Sequence, residues 1–419
     1  MNPLAMLYQQ WTKTVAARRN DLALHDLASD RKWTFAQLFA AAESRPSDPG
    51  KIICPQGHSP EFILSLLSAW GSGQIVCPLE PGQTLPDLTS LPKPCAHLKW
   101  TSGTTDAARL IAFTAEQLAA DAAQIVAVMG LRPDWPNLGV ISMAHSYGFS
   151  NLVLPLLLHG IPLILVPDPL PETVRRTAAQ QPAVTLAAVP ALWRAWHEAA
   201  GIPPQVRLAI SAGAPLPLKL EQAVFALKSV KIHNFYGASE CGAIAYDSAP
   251  EPRPDASLAG APMPGVTVSL NNESCLMIRG PAVGQSYWPV ESASLHSGQF
   301  QSSDLAELKN GLIFLRGRCS DQINVAGRKV SPETIERALL LHPLVRECLV
   351  FGVPSRDSVR TETIVAMVAA SAGESELRRF LLDALPSWQV PRLWQMVDSL
   401  PTGPRGKISR AECRAKFSN

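Results

Sequence analysis

The sequence W-T-S-G-T-T-D-A-A-R occupies residues 100–109, and the rest of the chain is organised around it. At its centre stand five consecutive small or hydroxylated residues, Thr101, Ser102, Gly103, Thr104 and Thr105. Backbone N–H groups and hydroxyls in such a run can surround phosphate oxygens, and Arg109 supplies a cation at the end. A turn rich in Ser and Thr is also a common loop whose hydroxyls bond their own backbone. A phosphate loop and an ordinary loop therefore both remain open at this point.

The segment lacks the pattern of the commonest phosphate-binding loops. G-x-x-x-x-G-K-S/T needs a second glycine and a lysine beside a hydroxyl residue, and the dinucleotide pattern G-x-G-x-x-G is missing too. Instead, the segment resembles the phosphate loop of the adenylate-forming superfamily: acyl- and aryl-CoA synthetases, luciferases and the adenylation domains of peptide synthetases. The family pattern Y/W-T-S-G-T-T-G-x-P-K is matched through Thr105 and differs at Asp106, Ala108 and Arg109.

Length and composition favour a large protein that acts on small molecules. The chain has 419 residues, of which 47% are hydrophobic and 17% charged, so we expect a large core and more than one domain. A net charge of +2 is too small to predict a nucleic-acid partner. The most apolar run, residues 152–166, is too short to cross a membrane and predicts a buried helix followed by a buried strand.

Cysteine spacing and the N-terminal residues indicate an intracellular setting. The eight cysteines show neither C-x-x-C spacing nor a pattern of metal ligands, so we expect buried reduced thiols. The first 20 residues contain Gln9, Gln10 and Lys13 where a secretory signal would be apolar. We therefore expect a cytoplasmic protein.

Hydrophobic periodicity predicts an α/β fold with mostly parallel, helix-covered sheets. Thr34 and Thr114 are predicted to begin helices over residues 34–42 and 114–129. A βαβ unit is expected over residues 51–79, with strands at residues 51–54 and 74–79. Further strands alternate with helices over residues 138–211, beginning with a strand at residues 138–143. Ligands on such sheets gather at the carboxyl ends of strands.

The sequence H-S-Y-G-F begins at His145, directly after a predicted strand. It resembles a family motif whose histidine lies against the carboxylate-binding pocket. Relatives that activate α-amino acids usually have a Phe-Asp pair here, so the resemblance implies an acid without an α-amine. Tyr147 and Phe149 are either aromatic walls of this pocket or ordinary core residues.

The sequence N-F-Y-G-A-S-E-C-G at residues 234–242 is the most specific signal in the chain. It resembles the family motif N-x-Y-G-x-T-E. The resemblance implies that Tyr236 stacks on adenine, Ser239 contacts the α-phosphate and Glu240 binds Mg²⁺, a cation that prefers oxygen ligands. It also assigns further residues to the nucleotide: Asn234, Gly237, Gly213 and Ala214. The small residues near these motifs suggest a flat slot for an aryl acid: Ala212, Gly213, Ala214, Ala238, Cys241, Gly242 and Ala243.

Residues 260–299 predict a small β-rich subdomain, and the segments after it complete the resemblance. Asp304 and Arg318 are expected to bind the ribose hydroxyls. Ser320 stands at the family's hinge position. Gly327 is expected to line the tunnel for a pantetheine thiol, and Lys407, in L-P-T-G-P-R-G-K at residues 400–407, to bridge carboxylate and phosphate oxygens.

These assignments imply a domain plan and a two-step reaction. Residues 1–317 would form the large adenylation domain, residues 318–321 the hinge, and residues 322–419 a small mobile α+β domain. A carboxylic acid and Mg·ATP would give an acyl-adenylate and pyrophosphate, and a pantetheine thiol of CoA or of an acyl carrier protein would then displace AMP.

Three alternatives stay open. Asp106 brings negative charge to the phosphate loop, so a degenerate member that binds nucleotide or acid without catalysis is one. A ligase for short or medium-chain fatty acids is the second. The third is an interaction module that uses its C-terminal part, where Lys and Arg outnumber Asp and Glu from Arg318 onward, to dock partners.

Overall fold

The structure is a computed structural model that describes residues 5–46, 51–85, 90, 93–101, 109–355, 362–401 and 410–418. Within these ranges, no helix is long and apolar enough to cross a membrane.

Helices and strands alternate through the first half of the chain, and strands dominate the second half. The helices are α1 Ala5–Ala17, α2 Phe35–Glu43, α3 Pro60–Gly71, α4 Ala115–Met129, α5 Ser146–Gly148, α6 Leu154–His159, α7 Pro171–Ala179, α8 Pro190–Glu198, α9 Leu218–Lys228, α10 Pro332–Leu340, α11 Glu374–Ala384 and α12 Arg410–Ser418. The strands are β1 Leu22–Asp26, β2 Arg31–Thr34, β3 Ile52–Ile53, β4 Ile75–Val76, β5 His97–Trp100, β6 Leu110–Phe113, β7 Asn137–Gly139, β8 Leu163–Leu165, β9 Val184–Ala188, β10 Val206–Ser211, β11 Ile232–Ala238, β12 Gly242–Tyr246, β13 Leu258–Pro262, β14 Thr267–Leu270, β15 Cys275–Arg279, β16 Ser286–Trp288, β17 Leu295–His296, β18 Gln299–Lys309, β19 Leu312–Arg318, β20 Ile323–Val325, β21 Arg328–Val330, β22 Val345–Pro354, β23 Glu362–Ala370 and β24 Leu393–Met396.

One large sheet dominates the structure, with the strand order β14-β15-β18-β19-β13-β12-β11-β10-β9-β7-β8-β1-β2 and with β17 beside β18. The strands β1, β8, β7, β9, β10 and β11 run parallel, as the βα alternation predicted. From β11 onward the neighbours are antiparallel, so the β-rich segment continues the same sheet.

Helix starts were predictable because their capping chemistry is local. Thr34 caps α2, accepting a hydrogen bond from the Gln37 backbone, and the Gln37 side chain accepts one from the Thr34 N–H. Thr114 and Gln117 make the same reciprocal pair at α4, which ends at Gly130 with a φ of 67°.

A smaller sheet, in the order β16-β6-β5-β4-β3, carries the central segment. The antiparallel pair β5 and β6 is joined by residues 101–109, so the hydroxyl-rich run connects two strands. The strands of the βαβ unit are shorter than the sequence predicted: β3 and β4 have two residues each. The strand predicted over residues 138–143 is also shorter, since β7 ends at Gly139.

The C-terminal part has its own core. Ile323, Ile335, Val350, Val368 and Leu381 belong to a buried cluster separate from the clusters of the large sheets. The antiparallel strands β22 and β23, with β24 parallel to β23, form its sheet, and α10 and α11 pack against the same cluster.

The expectation that all cysteines are reduced thiols is wrong for one pair. Cys275, on β15, and Cys319, directly after β19, form a disulfide. They are 44 residues apart in sequence, and β18 lies between their strands in the sheet, so spacing along the chain gave no sign of the pair. The other six cysteines, all within the described residues, form no disulfide.

Candidate active site

The predicted nucleotide motifs leave the large sheet at neighbouring strand ends. Ser211, the last residue of β10, lies opposite Asn234 on β11. The chain then turns at Gly213, whose φ of 84° favours glycine. The segments that begin at Ser211 and Asn234 therefore lie side by side, as expected for the carboxyl edge of a parallel sheet.

Three predicted residues from separate segments meet at one carboxylate. The Tyr236 hydroxyl donates to Asp304 Oδ2 at 2.5 Å, and Arg318 Nε donates to Asp304 Oδ1 at 3.1 Å. Asp304 and Arg318 face each other across β18 and β19. Burial raises the pKa of Tyr236 well above its usual value, and the Asp304 carboxylate adds to this shift. The phenol is therefore protonated and acts as the donor.

A second carboxylate, Glu240, lies in the turn between β11 and β12. The Tyr287 hydroxyl on β16 donates to Glu240 Oε1 at 3.0 Å. The Arg109 guanidinium lies 5.6 Å from the centre of the Tyr287 ring, so the end of the hydroxyl-rich segment approaches the same place. Burial raises the pKa of Glu240, while the hydrogen bond from Tyr287 opposes that shift.

The histidine motif lies beside the nucleotide motif. His145 precedes α5, and its Nδ1 accepts a hydrogen bond from the Tyr147 backbone N–H at 3.2 Å. The ring proton is thereby assigned to Nε2. The hydroxyls of Ser146 and Ser239 are 3.0 Å apart, which joins the two motifs directly.

The two ends of the hydroxyl-rich segment, Thr101 and Arg109, are hydrogen-bonded to each other. The Thr101 backbone N–H donates to the Arg109 carbonyl at 2.9 Å, and the Arg109 N–H donates to Thr101 Oγ1 at 3.3 Å. Several predicted residues lie outside the described residues: Ser102, Gly103, Thr104, Thr105, Asp106, Ala108 and Lys407.

The predicted pocket residues are mostly buried. Tyr147 packs at 6.0 Å from the Phe235 ring, with its hydroxyl toward the Ile210 carbonyl, and Phe149 lies 4.3 Å from His97. Ala212 and Cys241 are also buried, whereas Gly213, Ala214 and Gly237 are exposed and Ala238 is half-buried.

Three predicted residues have other surroundings. The Asn234 amide is buried and donates to the carbonyls of Leu258 and Ala259, so it ties β11 to β13. Gly327 lies in the turn between β20 and β21 with a φ of 82°, and its N–H donates to Asn324 Oδ1. Ser320, exposed, donates to the neighbouring Asp321 carboxylate.

The residues present fit a magnesium ion bound mainly through phosphate oxygens. Glu240 offers one half-buried carboxylate, and Mg²⁺ commonly combines one or two carboxylates with phosphates of its substrate. Within the described ranges, the one group of metal-binding side chains close enough to share an ion is Glu273, Cys275 and Cys319, whose cysteines are bonded to each other.

Tyr287 is the site residue that sequence reasoning missed. It is 8% exposed and lies 47 residues after Glu240. Its one sequence signal is the run S-Y-W at residues 286–288, which predicts a short strand and says nothing of a carboxylate partner. Only the pairing of β16 with β6 brings it to the site.

Two family models match the chain: AMP-binding enzyme over residues 87–288, and AMP-binding enzyme C-terminal domain over residues 334–407. A mitochondrial malonate–CoA ligase of Mus musculus is 26% identical over 76% of this chain and 64% of its own length. A fatty acid–[acyl-carrier-protein] ligase of Streptomyces coeruleorubidus is 32% identical over 51% of this chain and 45% of its own. A 2,3-dihydroxybenzoate–AMP ligase of Bacillus subtilis is 25% identical over 77% of this chain and 64% of its own. In each of these three matches, the chain spans less than two thirds of the relative's length.

The fold matches solved structures over nearly its whole length. The crystal structure of ATP-bound MatB from Rhodopseudomonas palustris covers 99% of this chain, and 99% of its own chain is matched, with a TM-score of 0.87 and 19% identity. At that identity the match establishes the architecture: a large sheet domain followed by a smaller C-terminal one.

Proposed function

The chain belongs to the AMP-binding enzyme family, also called the adenylate-forming superfamily, and on this premise we propose that it activates a carboxylic acid as an acyl-adenylate. The acyl group would then pass to a pantetheine thiol of CoA or of an acyl carrier protein. The observation that carries this proposal is that Tyr236 and Arg318, from separate motifs, both donate to the Asp304 carboxylate, while the Ser146–Ser239 contact joins two further motifs.

In the first half-reaction, we expect Asp304 to accept hydrogen bonds from both ribose hydroxyls. Arg318 holds the carboxylate in place, and a charge-assisted contact of this kind is stronger than a neutral one. The ring of Tyr236 would lie along the adenine. The acid's carboxylate oxygen would attack the α-phosphorus and release pyrophosphate, so catalysis consists of placement and charge stabilisation.

Phosphate charge requires cations and donors around it. Thr101, Arg109 and the hydroxyl-rich residues between them are proposed to surround the β- and γ-phosphates, and Ser239 to contact the α-phosphate. Lys407 is proposed to bridge the acid and the α-phosphate. Glu240 would hold Mg²⁺, which neutralises negative charge on the phosphates when bound. His145 is proposed to donate a hydrogen bond from its Nε2–H to the acid's carboxylate.

For the second half-reaction, we propose that residues 322–419 rotate about residues 318–321. The rotation would withdraw Lys407 and bring the turn at Gly327 to the site. This division agrees with the separate hydrophobic core of the C-terminal part. A thiol sulfur would then attack the acyl carbon, and AMP would leave.

The substrate is proposed to be an aryl acid such as a hydroxybenzoate. The sequence predicts small side chains along the slot, and the similarity to a 2,3-dihydroxybenzoate–AMP ligase supports the same class of acid. Fatty acids and malonate are the competing substrates, because relatives named for them also match the chain.

Acid-dependent exchange of pyrophosphate into ATP tests the proposal. The acids are benzoate, 3- and 4-hydroxybenzoate, octanoate and malonate; AMP release with CoA and with a holo carrier protein then identifies the acceptor. Exchange with an aryl acid is expected. ATP binding without exchange for any acid would instead support a non-catalytic member. Retained function in Lys407→Ala would favour an interaction module.

A further inference from the structure

Two cations of the large sheet domain hold one short stretch of the C-terminal part. Arg194, on α8, donates from Nη1 to the Glu347 carboxylate on β22 and forms an ion pair with it. The Lys219 ammonium, on α9, donates to the His342 backbone carbonyl at 2.9 Å. His342 and Glu347 lie close together in sequence, between α10 and the first half of β22. The C-terminal part is therefore fastened to two helices of the large sheet domain.

Both helices begin at the edge of the sheet where the proposed nucleotide site lies. The chain passes from β9 into α8 and from β10 into α9 through short turns, and β9 and β10 are parallel neighbours. Gly213 lies in the second of these turns, and a Cβ added to it would be 3.5 Å from Val189, the residue before α8. Ligands on parallel sheets gather at this carboxyl edge. The fastened stretch thus holds the C-terminal part beside the proposed site.

The Glu347 carboxylate has a second partner inside the C-terminal part. Its Oε2 accepts a hydrogen bond from the Leu400 backbone N–H at 3.4 Å. Leu400 is buried in a cluster with Leu349 and Phe351 of β22. Leu400 is also the first residue of the segment that ends at Lys407. One carboxylate therefore contacts both the large sheet domain and the start of the segment that carries the proposed catalytic lysine.

The turn at Gly327 is open to solvent in the same arrangement. Gly327 is exposed, and a Cβ added to it would have no heavy atom of the described residues within 4 Å. Its N–H donates to Asn324 Oδ1 within the turn itself. In the second half-reaction as proposed, this turn reaches the site and lines a tunnel for the thiol. The arrangement that Arg194 and Lys219 hold is therefore the one that precedes the proposed rotation.

We propose that Arg194 and Glu347 form a positioning contact that favours the first half-reaction. Rotation of residues 322–419 separates the pair, since Arg194 stays with the large sheet domain, so the strength of the contact helps to set the balance between the two arrangements. The side chains are 33% and 30% exposed, and ion pairs near the surface are weak enough to break and re-form. This inference rests on the proposed function, and it names the residues that balance its two half-reactions.

Two rates measured on the same preparations test the inference. One is pyrophosphate exchange with the acid that the screen selects, and the other is thioester formation from the preformed adenylate of that acid. When two arrangements interconvert rapidly, the ratio of these rates follows the equilibrium between them, whichever is more populated. Partial unfolding lowers both rates equally, so it leaves the ratio unchanged.

Four variants separate the contact from general effects of charge. Arg194→Glu places a carboxylate against Glu347, Arg194→Lys keeps the positive charge, and Lys219→Met removes the neighbouring hydrogen bond. Arg175→Glu is the matched control, because Arg175 is an exposed arginine on α7 that pairs with Glu172 in the same helix.

The ratio of exchange to thioester formation should fall about fivefold to twentyfold in Arg194→Glu, because repulsion replaces attraction. It should fall about twofold to threefold in Lys219→Met and stay within about twofold of the wild type in Arg194→Lys and Arg175→Glu. The KM for ATP should not change in any variant, because the residues proposed to bind ribose and phosphate are untouched.

An unchanged or higher ratio in Arg194→Glu would overturn the inference, and so would an equal fall in Arg175→Glu. Both results leave the proposed function standing, because both half-reactions are then observed. No exchange with any acid in the wild type, or exchange without thioester formation on CoA or a holo carrier protein, would overturn the proposed function and this inference with it.

Discussion

At the scale of single residues, the hydrogen bond from Tyr287 to Glu240 should control the protonation of the carboxylate that we propose binds Mg²⁺. Burial raises the pKa of Glu240, and the Tyr287 hydrogen bond holds it lower than burial alone would. The carboxylate must be ionised to hold a cation, so protonation at low pH should reduce activity.

Tyr287→Phe removes that hydrogen bond and keeps the ring under Arg109. The pKa of Glu240 should rise further, so the acid limb of the pH profile should move to higher pH. The measurement is kcat/KM for ATP against pH at saturating Mg²⁺, compared with the wild type. An acid limb that stays in place would show that Tyr287 does not tune Glu240.

The Asp304 carboxylate gives a second prediction at this scale. Asp304→Asn removes the charge that Arg318 and Tyr236 contact. The KM for ATP in pyrophosphate exchange should rise about tenfold to a hundredfold, since a hydrogen bond to a charged group contributes about 1.5–3 kcal/mol. Tyr236→Phe is the control: it keeps the ring for adenine and should raise the KM far less. An equal rise in the KM for ATP in both variants would contradict the assignment of Asp304 to the ribose.

At the scale of elements, the helix starts show what local sequence can determine. Thr114 caps α4 through a contact three residues away, so the cap could be recognised from the sequence. Thr114→Ala should lower the free energy of unfolding by about 1 kcal/mol, measured by chemical denaturation. Thr114→Ser keeps the side-chain oxygen, so its free energy of unfolding should fall much less. Exchange activity should persist in both variants.

The start of α12 depends on a cluster of charges that the sequence did not reveal. Arg410 forms ion pairs with Asp321, Glu333 and Glu336 and donates to the Val350 carbonyl. Asp321 lies 89 positions before Arg410 in the chain, and Glu336 lies 74 positions before it. Long-range partners of this kind depend on tertiary packing, which explains why neither this cluster nor Tyr287 was predicted.

Arg410→Ala should destabilise the C-terminal part by about 3 kcal/mol, because three carboxylates lose their shared cation. Burial already raises the pKa of Glu336, and Arg410 opposes that shift, so its loss should raise the pKa further. A carboxyl whose folded pKa is raised disfavours folding above that pKa and regains stability as pH falls.

The loss of folding stability in Arg410→Ala, relative to the wild type, should therefore be smaller at pH 5 than at pH 8. Thermal unfolding of both proteins at the two pH values measures it. Arg414→Ala is the control, since Arg414 is 48% exposed and pairs with Glu362. Arg414→Ala should lower the free energy of unfolding by less than about 1 kcal/mol. A deficit that does not change with pH would show that Glu336 is not the coupled group.

At the scale of the whole molecule, the two halves of the proposed reaction should separate by domain. Gly327→Trp adds bulk in an exposed turn that has no heavy atom within 4 Å of the added Cβ. Pyrophosphate exchange should persist, while thioester formation should fall by more than about tenfold, because the thiol can no longer reach its attack position. Gly327→Asn is the control, because asparagine tolerates the positive φ with little bulk.

Lys407→Ala should show the opposite pattern. Exchange should be lost, and thioester formation from a preformed acyl-adenylate should remain. Both rates are measured on the same preparations. Loss of both half-reactions in both variants would mean that the C-terminal part acts as a single structural unit and does not alternate.

The order of the motifs along the chain was enough to predict the α/β architecture, while the roles of the site residues stay predictions. Periodicity placed the parallel strands, and the fold then brought Tyr236, Asp304 and Arg318 together as expected. The strand lengths, the Cys275–Cys319 bond and the contact of Tyr287 with Glu240 were missed. Each of these features depends on tertiary packing between segments that are distant in sequence, and the type and spacing of residues along the chain do not determine that packing.

The disulfide has a mechanical consequence for the linker. Cys319 is fastened to β15, and the residue before it belongs to β19, so the chain is anchored up to that point. If the C-terminal part rotates as proposed, the backbone torsions that change are therefore those of Ser320 and Asp321, the second half of the proposed hinge at residues 318–321. Reduction of the disulfide would release Cys319 from β15, so the proposed rotation would begin one residue earlier and its axis would be less well defined.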